Sequence, residues 1–333
     1  MMKIYTLFFF CVLFCLPQSH ADPSPYHMTE PLSIMPFKRI DKLVLVEASV
    51  DGQTGYFLFD TGVADLTLND QHFGEDDDIG VVTKITDING RRHRAKGFLV
   101  EQFRWGGLYR TEFLAPLLDL SGLEEILDVP LLGLIGQHVI DKVEVHIDFD
   151  RLAMALMRLD KQGKPVAAPY TEDPQHILPF HMEFYIPVLE ARIGQLDLNL
   201  AFDSGASINM IDRRLRRDLP DDARRLMRIA YGGAISHSRA PFIAVNAIYL
   251  EDQFAVTAWR MAATRMKHFS KKDIEIDGLI GADLFRLGGV SINYQKKQIA
   301  VWINDNIFAH RYEMMPTPDG APLEETVLAS PEK

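Results

Sequence analysis

Two short segments of the chain, Phe59-Asp60-Thr61-Gly62 and Phe202-Asp203-Ser204-Gly205, carry the same acidic residue in the same setting, 143 positions apart. Two carboxylates brought together in a dry site cannot both ionise, so they share one proton and titrate as a pair. The ionised member can then take a proton from a water, while the protonated member donates a hydrogen bond to a carbonyl oxygen that is gaining charge. That is hydrolysis with water as the nucleophile, and it requires no metal and no organic cofactor. Competing chemistries find few residues to use. Both cysteines, Cys11 and Cys15, lie in an apolar leader, and the chain has no His-Glu-x-x-His, Gly-x-Ser-x-Gly, Gly-x-Gly-x-x-Gly or phosphate loop. His176 and His181 have only Glu183 nearby as a further ligand type, so no metal site is expected. The acidic run Glu75-Asp76-Asp77-Asp78 lacks the spaced oxygens of a calcium loop and reads as a hydrated surface loop.

The elements that must position the two aspartates are themselves repeated. Ile34-Met35-Pro36-Phe37 recurs as Ile177-Leu178-Pro179-Phe180, and the same offset holds without a gap to Gly62 and Gly205. Eight of the 29 positions from 34 to 62 are identical, where average composition gives about two. After a two-residue insertion, Leu134-Ile135-Gly136 matches Leu279-Ile280-Gly281, and Val145-x-Ile147-x-Phe149 matches Val290-x-Ile292-x-Tyr294. The chain is therefore read as a tandem duplication. A first lobe spans 22–160, a Pro-, Gly- and charge-rich linker 161–176, a second lobe 177–310, and a loose tail 311–333. The local pattern is that of strands: short β-branched runs such as Leu43–Val50 and Ile186–Ile193, broken by glycine turns. The clearest helix candidate runs from about Asp212 to Leu219, with another near Asp221 to Arg228. Hairpin tips are expected at Asn89-Gly90 and at Tyr231-Gly232-Gly233. The arginines at 213, 214, 216 and 217 read as a solvated helix face.

On these residues the chain resembles the aspartic peptidases of the pepsin-like and retropepsin-like clan. The resemblance rests on the two Asp-Thr/Ser-Gly turns, each followed by Leu-Ile-Gly, and it covers both copies. It implies an all-β, bilobal, double-psi β-barrel-like fold with pseudo-twofold symmetry, and an endopeptidase using Asp60 and Asp203 as its dyad. It further implies that Thr61 and Ser204 hydrogen-bond to the opposite turn, and that Gly62 and Gly205 allow backbone N–H groups to approach the carboxylates. Leu134, Ile135, Gly136, Leu279, Ile280 and Gly281 would form the scaffold beneath. Asn89 and Gly90, or Tyr231 and Gly232, are the flap candidates. The copies differ where the family commonly has a Ser or Thr bonding the outer oxygen of the catalytic Asp. Ser207 fills that position in the second copy, but Ala64 followed by Asp65 stands in the first. Asp203 is therefore expected to ionise first and Asp60 to hold the proton. The alternative reading of the same fold is a non-catalytic peptide-binding protein.

Composition bounds the setting. Forty-six acidic against 35 basic residues give a net charge of -11, which disfavours a nucleic-acid partner. Residues 1–21 read as a signal peptide, too short in its apolar stretch for the ~20 residues that span a bilayer. The remaining chain has no cysteine and no Asn-x-Ser/Thr acceptor, which fits an exported protein of the bacterial periplasm better than one of a eukaryotic exterior. It is expected to act as a monomer on an extended polypeptide, with no stable membrane anchor once the leader is removed.

Overall fold

The computed structural model describes residues 12–15, 26–74, 78–87, 92–168, 170–232, 237–252, 254–266 and 276–303. The leader other than Val12–Cys15, the Asn89-Gly90 tip and the tail from 304 onward lie outside the described residues. Among those described, the chain is all-β. Twenty-three strands form one 15-stranded and one 8-stranded barrel-like sheet, with two short α-helices, Ser121–Leu127 and Gln137–Ile140. No described helix is long and apolar enough to cross a membrane.

The strands exist because their inward positions are continuously apolar. Leu131–Ile135 is buried at all five residues, and so is Gly278–Ile280 at all three. Such strands hold together only with neighbours on both edges and cover on both faces. Leu131–Ile135 has those neighbours: it runs parallel to Gln53–Phe59 and antiparallel to Thr67–Asn69. Thr67–Asn69 in turn pairs in parallel with Leu108–Leu118. The second half of the chain repeats this path. Gly278–Ile280 runs parallel to Leu196–Phe202 and antiparallel to Asn209–Asp212, which pairs in parallel with Phe254–Thr264.

A six-strand antiparallel stretch joins the halves, in the order Leu32–Ile40, Ala153–Arg158, Val143–Asp148, Gly288–Asn293, Gln298–Ile303, His176–Pro179. At its centre Val145 faces Ile292 and Ile147 faces Val290, the positions matched at the 145-residue offset. The segment 161–176 packs on this stretch: Val166 N–H donates to Arg158 O, and Trp302 Nε1 donates to Glu172 O at 2.8 Å.

Two sequence expectations change. The helix expected near Asp212 to Leu219 is a single 3-10 turn, Arg213–Arg217. Its one partly buried side chain, Leu215, gives too narrow an apolar face to hold a longer helix. The helix expected from Asp221 to Arg228 is instead the start of a strand, Arg224–Gly232, paired with His237–Leu250 (Arg225 opposite Ile243, Arg228 opposite Pro241). Ladder pairing with a long neighbour outweighs the helix propensity of an arginine-rich run.

Candidate active site

Asp60 and Asp203 each leave the buried end of a strand and enter a turn held from below by the Leu-Ile-Gly segment of the same half. Asp60 N–H donates to Ile135 O at 3.0 Å, and Asp203 N–H donates to Ile280 O at 2.9 Å. Leu134, Ile135, Leu279 and Ile280 are buried and form floor and core rather than surface. Gly136 and Gly281 let the floor strand cross the turn at backbone contact. A Cβ on Gly136 would lie 2.5 Å from Val63 O, and one on Gly281 would strike Ala206 O. The chain beyond each glycine bonds the turn again, through Gln137 N–H to Val63 O, His138 N–H to Ala64 O and Ala282 N–H to Ala206 O.

The two turns are bonded to one another reciprocally. Thr61 Oγ1 donates to Phe202 O at 3.2 Å and accepts from Ser204 N–H at 2.9 Å. Ser204 Oγ donates to Phe59 O at 2.9 Å and accepts from Thr61 N–H at 2.9 Å. Four hydrogen bonds, all buried, therefore fix one turn against the other. Each carboxyl sits over the opposite glycine. A Cβ on Gly62 would lie 2.6 Å from Asp203 Oδ2, and a Cβ on Gly205 would lie 2.5 Å from Asp60 Oδ2. Gly62 N–H donates to Asp60 Oδ1 and Gly205 N–H to Asp203 Oδ1, both at 2.9 Å.

Both aspartates are fully buried. Burial, and then the facing Asp203 carboxyl, raise Asp60 well above the ordinary carboxylate range, against the opposing pull of Gly62 N–H. The same field reaches Tyr294: burial first, then Asp203 and Asp60, push its phenol up and keep it protonated.

Around this centre the halves differ. In the second, Ser207 is buried and its carbonyl accepts from Lys42 Nζ at 3.1 Å. Lys42 also pairs with Asp283 Oδ1 at 2.7 Å, while Asn209 Nδ2 donates to Asp283 Oδ2 at 2.8 Å and Asn209 Oδ1 accepts from Gly281 N–H at 3.0 Å. Lys42 thus ties the first half to the loop that carries Asp203. In the first half, Ala64 is buried and Asp65 turns to a different set of partners. It accepts from Tyr26 Oη at 2.6 Å and from Arg110 Nη1 at 3.3 Å, and the Arg110 guanidinium lies over the Tyr26 ring.

Of the flap candidates, Tyr231 and Gly232 end the strand Arg224–Gly232, opposite Ser238 and His237, while Asn89 and Gly90 lie outside the described residues. Sequence reasoning missed Tyr26, Lys42, Arg110, Asn209 and Asp283, none of which stands at a repeated position. It also missed a pair that was within reach. Asn69 and Asp212 fall at the 143-residue offset and do the same work, Asn69 Oδ1 accepting from Leu120 N–H and Asp212 accepting from Arg214 N–H and Met266 N–H.

No protein-family model matches the chain, and no curated protein matches it.

Proposed function

We propose that the protein is an aspartic endopeptidase of the bilobal, double-psi type, with Asp60 and Asp203 activating one water between pseudo-twofold-related halves. The observation that carries this reading is the reciprocal Thr61–Ser204 bonding, which sets each buried carboxyl against the other turn's glycine. Two acids buried side by side cost stability unless one proton is shared, and a shared proton is what water activation needs. Ionised Asp203 takes a proton from the water as its oxygen bonds to the peptide carbonyl carbon, and Asp60 gives its proton to the carbonyl oxygen. Asp203 then protonates the departing nitrogen as the C–N bond breaks, and Asp60 recovers a proton from the resulting diol. The products are a carboxylic acid and an amine, and the dyad returns to its starting state. The substrate is an extended, partly apolar polypeptide segment, met after export to the periplasm.

The test is cleavage of an unstructured protein from roughly pH 3 to 7 by wild type, Asp60→Asn and Asp203→Asn, with folding followed by circular dichroism. Cleavage by wild type alone supports the dyad. Undiminished cleavage by either folded variant overturns it. A wild type that binds the polypeptide but never cuts it makes the chain a peptide-binding protein of the same build.

A further inference from the structure

The run from 213 to 228 holds seven arginines, no lysine and three aspartates, in a chain whose net charge is -11. Its fold fixes these arginines outward. Leu215, Leu219 and Leu226 pack against the core, while Arg213, Arg216, Arg217, Arg224 and Arg225 are exposed. One buried carboxylate brings a further arginine to the same place: Asp212 accepts from Arg214 N–H at 2.8 Å and from Met266 N–H at 3.2 Å, which sets exposed Arg265 beside the 3-10 turn. Asp212 also pairs with Arg214 at 3.1 Å, but Arg213, Arg216, Arg217, Arg224, Arg225 and Arg265 form no ion pair among the described residues.

Charged residues on an edge strand block unwanted sheet pairing, and Arg224–Gly232 is the last strand of its sheet. That accounts for Arg224 and Arg225. It does not account for Arg213, Arg216, Arg217 and Arg265, which lie off the edge. Arginine's planar fork matches phosphate oxygens two at a time, which a lysine cannot do. A folded-protein or peptide partner is held chiefly by buried apolar or aromatic anchors, and here the leucines between the arginines are turned inward. A phosphate-bearing surface needs only charge density. The acidic remainder of the molecule would be repelled by such a surface, so this face would be the one presented to it.

We propose that the arginine face of the second half docks the protein on anionic phospholipid, by contact with headgroup phosphates and without insertion. This is independent of the peptidase reading. The experiment is sedimentation of the full chain with vesicles of phosphatidylcholine alone and of phosphatidylcholine with phosphatidylglycerol, at about 0.05 M and about 0.5 M salt. Binding is expected only to the anionic vesicles and only at low salt. At about one kcal/mol per basic residue, the triple variant Arg213→Gln, Arg216→Gln, Arg217→Gln is expected to bind on the order of 100-fold more weakly. The triple variant Arg94→Gln, Arg158→Gln, Lys161→Gln changes the net charge equally at exposed sites in other parts of the chain and is expected to bind within a few-fold of wild type. Equal binding to neutral vesicles, or binding that survives high salt, would place the affinity in the apolar leader and overturn the proposal. Equal loss in the two triple variants would reduce it to net charge and overturn it as well. Binding to duplex DNA as tight as to anionic vesicles, at matched phosphate and salt, would overturn the lipid assignment.

Discussion

At the scale of single residues, the buried dyad makes the protein's stability depend on pH in a direction opposite to most carboxylates. Asp60 is raised in the folded state, so its contribution is fully present below the ordinary carboxylate range, where both states are protonated, and is lost as pH rises through the folded value. Asp60→Asn carries no charge at any pH. Chemical denaturation is therefore expected to find the variant more stable than wild type near neutrality, with the gap closing in acid; a gap that is constant with pH would show that Asp60 is not raised. Gly205 gives a second test at this scale. Its Cβ would meet the Asp60 carboxyl, whereas a Cβ on Gly107 meets nothing nearer than 3.5 Å. Gly205→Ala is expected to lose about 1–3 kcal/mol in urea melts and, on the proposed peptidase reading, all cleavage, and Gly107→Ala to stay close to wild type.

At the scale of elements, what matters is a strand end, a turn and a floor strand, made twice. Thr61 and Ser204 each donate to a carbonyl of the other half and accept from its amide, so removal of either side chain strands a buried N–H. Thr61→Val and Ser204→Ala are each expected to cost about 1–3 kcal/mol, and the double variant less than their sum, because loss of either hydroxyl already loosens the contact between the turns that the other still holds. Additive losses in denaturant melts would mean that the two hydroxyls act separately. The turns and their floor strands were legible in the sequence because the same residues recur at a fixed offset. The expected helix from Asp221 to Arg228 was misread for the reverse reason. Nothing local in that run announces the long strand His237–Leu250 that captures it.

At the scale of the molecule, the antiparallel stretch that joins the halves carries its own pH sensitivity. His146, opposite Ser291 at the centre of the junction, is buried with its ring 4.7 Å from Trp302 and 5.1 Å from Tyr170. Burial holds it down at about 4, against the pull of Asp148 and Glu144, with Arg151 adding to the depression. Its neutral form is the one that folds. The stability it confers is complete above pH ~6.5 and drains away as pH falls toward ~4, by about 3 kcal/mol in all. His146→Gln is expected to flatten the thermal-melting curve against pH across that window; a curve as steep as that of wild type would assign the acid sensitivity to other groups.

The sequence by itself determined the β character, the doubling and the two aspartate turns, because each is written in local pattern or in residues that recur at a fixed distance. It also pointed to the hydroxyls of Thr61 and Ser204 and to the apolar floor at Leu134–Ile135 and Leu279–Ile280. Only the tertiary structure decided what surrounds them. Lys42 reaches Asp283 and Ser207 across more than 160 residues of chain, Tyr26 and Arg110 converge on Asp65, and Asp212 sets Arg265 beside the arginine turn. These contacts join side chains with no common spacing and no shared motif. Their partners are chosen by which strands the sheets bring side by side, and that follows from the packing of the whole chain rather than from any segment of it.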